Sequence, residues 1–108
     1  MTGLPDAVVF LVTAASVAEG ERIATALVEE RLAACANIVE GIGSIYWWKG
    51  KVEESSEALL FLKSREERLD ALIARVRELH SYENPAIISF RILKGSEDYL
   101  RWIGEEVR

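Results

Sequence analysis

His80 and Cys35 are the only histidine and the only cysteine in the 108-residue chain, which makes them its first candidates for metal chemistry. Neutral imidazole suits copper, zinc and nickel, and an exposed thiolate suits soft ions. Neither residue sits in a paired spacing such as H-x-x-H or C-x-x-C. A site built on them needs further donors from Glu83, from water or from a neighbouring subunit. Both also have plain structural readings. His80 lies at the end of a helical pattern, where its cationic form suits the last carbonyls. Free cysteine is among the residue types most often buried. Glu53, Glu54 and Glu57 form an acidic run on a strand flank, ordinarily a solvated edge and less often a weak site for hard divalent ions.

Enzyme chemistry has less to work with. The sequence holds no G-x-S-x-G, no Walker or dinucleotide glycine pattern and no nucleophile–base pairing. Ser16, Ser64 and Ser96 all fall where helices are expected to start, so capping already accounts for them. The chain is therefore read as a binding protein and not as an enzyme.

The elements that must hold these residues follow from the hydrophobic periods. Ala7–Thr13 is a continuous apolar and β-branched run, as in a strand covered on both faces. Ser16 and Glu19 form a capping box ahead of a helix with Ile23, Ala24, Leu27 and Val28 on its apolar stripe, ending near Ala34. Residues 36–48 and 52–63 read as two long strands joined by a turn at Lys49-Gly50. Gly41-Ile42-Gly43 signals a bulge in the first of them. Ser64 with Glu67 repeats the capping-box pattern and opens a second helix carrying Leu69, Leu72, Ile73, Val76 and Leu79. Pro85 stops that helix. A fourth strand then runs over 86–92, and Ser96 caps a short last helix holding Tyr99, Leu100, Trp102, Ile103 and Val107.

The order βαββαβ with right-handed crossovers gives an α+β, ferredoxin-like sandwich: an antiparallel four-stranded sheet with two helices on one face, plus a C-terminal helix. At this length one domain spanning residues 1–108 is expected. The inner strands do not alternate. Val8–Val12 and Ala58–Leu62 are apolar on both faces, and leaving such side chains wet would cost about 1.5–3 kcal/mol each. Another subunit, or a large C-terminal cover, must lie on the second face.

The net charge of −5 argues against nucleic acid or an anionic membrane as partner, since both require a basic stripe. The longest fully apolar run, Ala7–Val12, is too short to span a bilayer. Met1–Asp6 lack the charged start and apolar stretch of a secretory signal. With a lone thiol, these features point to the reducing cytoplasm.

Several motifs in order resemble one family. Leu32-Ala33-Ala34-Cys35-Ala36-Asn37-Ile38 is similar to the L-A-A-C-x-N-I junction of CutA divalent-cation-tolerance proteins. Ser44, Tyr46, Trp48 and Gly50 follow their S-x-Y-x-W-x-G pattern, and Glu57, Leu59, Leu60 and Lys63 follow E-x-L-L-x-x-K. His80-Ser81-Tyr82-Glu83-Asn84-Pro85 resembles H-P-Y-x-x-P, and Tyr99, Leu100 and Trp102 match Y-L-x-W. The resemblance implies a homotrimer of PII-like architecture, in which the long hairpin of one subunit extends the sheet of the next. It also implies a link to copper and other divalent ions, with no cofactor required. Of the copper ligands it implies, a first-strand cysteine and adjacent histidines, only His80 matches; Val12 and Leu79 occupy the other positions. The expected metal set is therefore His80, Glu83 and Cys35. Tyr46, Trp48, Lys63 and Tyr82 stand in the motifs and are types that line pockets. They are the expected lining of an inter-subunit cleft for a small anionic ligand, the alternative being a PII-like metabolite sensor. Trp47-Trp48 is read as cross-strand packing in the trimer.

Overall fold

The structure, a computed structural model, describes residues 6–108, so the absence of a leader read from the first residues falls largely outside it. β1 (Ala7–Ala14) leads into α1 (Val17–Glu29). A hairpin follows, of β2 (Cys35–Trp48) and β3 (Lys51–Arg65). A 3₁₀ turn over Glu66–Arg68 opens α2 (Leu69–Leu79), and β4 (Ile87–Arg91) and α3 (Glu97–Glu106) complete the order. The strands pair antiparallel as β2-β3-β1-β4, the ferredoxin-like arrangement expected from two right-handed crossovers. No helix among the described residues is long and apolar enough to cross a membrane.

The pleat sorts the side chains of the central strands onto two faces. Phe10 and Val12 of β1 and Leu60 and Leu62 of β3 point to α1 and α2, where they are buried with Ile23, Leu27, Leu72 and Val76. Ala7, on the opposite face, packs with Leu100, Ile103 and Val107, so α3 lies across the sheet from the other two helices and covers one end of the second face. Further along that face Val9, Leu11, Leu59 and Phe61 are half-buried, while Ile88 is 54% and Phe90 52% exposed. The C-terminal cover is thus real but partial.

The hairpin matches the glycine signals. Lys49 and Gly50 both have positive φ, 50° and 81°, the combination a two-residue type I′ turn requires. The register slips between Val39 and Ile42, with Gly41 at φ 70°. That is the expected bulge. Beyond it, residues 42–48 and 51–57 pair only with each other, so the hairpin projects from the body as an arm.

Three boundaries differ from expectation. Ser64 does not cap α2. The β1–β3 ladder runs on to Ala7–Arg65, so Ser64 lies within β3, fully buried, where its hydroxyl donates to the Leu32 carbonyl at 2.6 Å. α1 ends at Glu29, well before Ala34. Arg31 takes φ 63°, and the amides of Leu32 and Ala33 both return to the Leu27 carbonyl. No glycine marks this stop, which a non-glycine residue enters at a cost. Long-range partners hold Arg31 there: its guanidinium pairs with Glu106 at 2.6 Å, and the Arg108 amide donates to its carbonyl at 3.1 Å. The fourth strand is shorter than expected, leaving Ala86 and Ile92 outside its ladder.

Because Ser64 bonds a carbonyl deep in the sheet–helix junction, Ser64→Ala strands that acceptor. The expected loss is about 1–3 kcal/mol, read from denaturant midpoints at fixed protein concentration.

Candidate functional site

The polar side chains concentrate where β1 ends, α1 begins and the α2–β4 loop passes the base of the hairpin. Ser16 caps α1 by accepting the Glu19 amide at 3.1 Å. Its partner in the motif reaches further than a capping box requires. Glu19 Oε1 accepts the Ala15 amide at 2.9 Å, and Oε2 accepts the Ser81 amide at 2.7 Å, from the far side of α2. Burial pushes this carboxyl upward. The bonds from Ser81 and Ala15, with the nearby His80, outweigh that and hold it below the ordinary glutamate value.

His80 follows α2 directly. Its Nε2 lies 2.7 Å from the Thr13 carbonyl, and Nδ1 accepts the Tyr82 amide at 3.1 Å. A carbonyl only accepts and an amide N–H only donates, so the partners select the Nε2–H tautomer. The Tyr82 ring leans on the imidazole with centroids 4.7 Å apart, and its hydroxyl donates to Glu57 Oε2 at 2.7 Å. Burial first, then the bond to Glu57 and the negative charge of that carboxylate, raise the Tyr82 phenol well above its usual range. Tyr82 is therefore a donor throughout the neutral range.

Glu57 is a correction to the reading of the acidic run as a solvated edge. Glu53 and Glu54 are exposed, but Glu57 is only 7% exposed. It lines a cavity of about 480 Å³ with Glu40 and Gly41 at the bulge, Ser56 beside it, and Ser16 and Val17 at the start of α1. Glu19 did not stand out as a site residue from the sequence, and Glu57 did so only as one member of the acidic run. The available signal was that Glu57 opens the motif ending at Lys63, and that Glu19 sits three residues after a cap.

The expected metal set does not assemble within one chain. Cys35 pairs across to Lys63 and so lies level with Val9, whereas His80 bonds Thr13; four residues of strand separate the two levels by about 13 Å. Both His80 nitrogens are already engaged, and Glu83 is exposed on the loop. Cys35 Sγ instead meets the Tyr99 hydroxyl at 3.5 Å, a contact that with burial pushes the phenol up to about 12. No group of three His, Cys, Asp or Glu side chains suited to a metal occurs among the described residues.

The expected pocket residues spread along the hairpin. Tyr82 sits at its base, and Tyr46 approaches closely enough to add to the shift of the Tyr82 phenol. The Tyr46 hydroxyl contacts Ser55 at 3.2 Å. Trp48 pairs with Lys51 at the turn and lies under the Lys49 ammonium, 5.5 Å from the ring centroid. Lys63 donates to Asn37 near the opposite end of β3. Bringing Lys63 and Trp48 to one cleft takes more than one copy of the chain.

A four-stranded α+β sandwich with a polar network at the foot of a long hairpin defines a small ferredoxin-like domain. The family model of the CutA1 divalent ion tolerance protein matches residues 8–106, and the chain belongs to that family. It is 44% identical over 107 residues to a rice protein named CutA 1, chloroplastic, covering 99% of this chain. The chain spans 60% of that relative's length. The divalent-cation tolerance protein CutA of Pectobacterium atrosepticum is 38% identical over 105 residues, covering 97% of this chain and 96% of the relative. Among solved structures, CutA1 from Oryza sativa superposes with a TM-score of 0.95 at 42% identity, covering 100% of this chain and 98% of that one. The divalent cation tolerance protein of Thermus thermophilus gives a TM-score of 0.92 at 44% identity, covering 94% of this chain and 99% of that one.

Glu19 carries a testable consequence. Its folded-state pKa is depressed, so the stability it contributes is present above the unfolded glutamate value and disappears as pH falls through the folded one. Glu19→Gln should be less stable than the parent near neutrality. The gap should narrow as pH drops below about 4, as measured by denaturant titration at each pH.

Proposed function

We propose that this chain works as a cytoplasmic homotrimeric, metal-responsive binding protein in divalent-cation tolerance, and that its cation contact lies at the foot of the hairpin. The observation that carries the reading is Glu57, a buried carboxylate lining a cavity whose other polar side chains, Glu40, Ser16 and Ser56, all offer oxygen. Such a donor set suits hard divalent ions, and copper(II) among the softer ones only with added nitrogen or sulfur. Assembly is supported by the open half of the second sheet face, where Val9, Leu11, Leu59, Phe61, Ile88 and Phe90 await cover. Self-association removes that surface from water at about 25 cal/mol per Å². Three as the number of copies, and copper as one of the ions, rest on the family resemblance. The cytoplasmic placement rests on the lone thiol.

Light scattering of the purified protein should give three times the chain mass. Calorimetric titration with copper(II) and with zinc should show saturable binding that weakens at least about tenfold in Glu57→Gln and survives His80→Ala. Equal, weak binding in all three proteins would turn the search to a metabolite sensor. A small anionic ligand would then lie between copies, against Tyr46, Trp48, Lys63 and Tyr82.

A further inference from the structure

Glu57 is a buried carboxylate answered on one side only. Its Oε2 accepts the Tyr82 hydroxyl, while Oε1 takes no hydrogen bond among the described residues and is not sealed from solvent. The residue is 7% exposed and lines the cavity at the foot of the hairpin, so the free oxygen opens into that cavity. Neither Glu57 nor Glu40 belongs to an ion pair among the described residues. The positive end of α1 is already met by Glu19 and Ser16. A buried charge without a counter-charge is costly, so this position favours a cation from outside the chain.

The space is larger than a metal ion needs. At about 480 Å³ the cavity falls within the range of small-molecule pockets, about 300–1,000 Å³. A divalent ion placed there would draw most of its shell of about six to eight oxygens from water. The two carboxylates stand at different depths. Glu57 is buried and pairs with Ile42, whereas Glu40 is exposed on the other side of the register slip. The remaining walls include Ala15, Val17 and Ala58, whose side chains carry no polar atom, and Ser56, which offers a hydroxyl. The cavity thus presents an anionic floor, an anionic rim and an apolar wall.

We propose that this cavity binds a short aliphatic diamine, with one ammonium on Glu57, the other on Glu40 and the methylene chain against the apolar wall. Ammonium fits better than guanidinium because the Tyr82 hydroxyl already holds Oε2. A planar guanidinium is best served by both oxygens of a carboxylate. An ammonium needs only the free one and can turn its other donors to Ser56 and to water. The proposal rests on the reading above for the place of the cation contact and departs from it in the kind of cation.

The test is calorimetric titration of chelator-treated protein with diaminobutane, butylamine and butanediol at fixed ionic strength. The diamine should bind about threefold tighter than the monoamine, and the diol should show no saturable binding. Glu57→Gln should weaken the diamine at least about tenfold. Glu40→Gln, at an exposed position, should bring the diamine down to the affinity of butylamine. Glu105→Gln, exposed on α3, removes the same charge and should leave binding unchanged. Should Glu57→Gln fail to fold, Glu40→Gln with the amine series decides. Copper(II) and zinc are titrated separately into the same proteins. Saturable metal binding without diamine binding overturns this proposal and leaves the metal reading standing, and diamine binding without metal binding does the reverse. Equal affinity for diamine and butylamine in the parent, or equal weakening in Glu40→Gln and Glu105→Gln, also overturns it.

Discussion

Eight residue pairs join β1 to β3, from Ala7–Arg65 to Ala14–Ala58, and both strands carry apolar side chains on their two faces. That ladder buries Phe10, Val12, Leu60 and Leu62 against the helices, and it sets the level of every group at its two ends. At one end it carries β3 past the point where a helix could have begun, which puts Ser64 in the core and Arg65 under α3. At the other it stops, and the chain ends left there by Thr13, Ala15 and Ala58 become the walls against which Glu19, His80 and Tyr82 assemble. The polar network is a product of where the central pairing ends.

Glu19 is the joint of that network. A carboxylate buried without donors would be driven to neutrality or out of the fold. Here amides from both flanking segments meet it, so its burial is compensated and its charge retained. The same arrangement explains why the α2–β4 loop, although rich in exposed residues, has a defined course. Ser81 and Tyr82 are each tied by their amides, and Pro85 is buried.

Much of the fold was legible because its signals are local. Apolar runs gave the strands, Gly41 and Gly50 the bulge and turn, and Ser16 and Ser96 the caps that the structure contains. The exceptions were decided by partners distant in sequence. Ser64 with Glu67 has the form of a cap whether or not the strand continues, and only pairing with Val8 decides that it does. Arg31 stops α1 without a glycine because Glu106, 75 residues on, holds it. The site was legible in part. His80 and Tyr82 stood out by type and motif, but beyond their mutual contact their partners are a carbonyl and two glutamates drawn from three elements, β1, α1 and β3. Nothing in the composition of an acidic run distinguishes the buried Glu57 from the exposed Glu53 and Glu54.

The hairpin beyond Gly41 is a lever. Seven residues per strand extend past the point where β1 ceases to support them, an arm of about 23 Å. A rotation of about 10° at the bulge would carry the Lys49–Gly50 tip through about 4 Å, most of the spacing between neighbouring strands. Small angular changes at the foot, where the glutamates and Tyr82 lie, therefore become displacements large enough to alter which surface the tip can meet. The arm gives the molecule a mechanical gain that its compact end lacks.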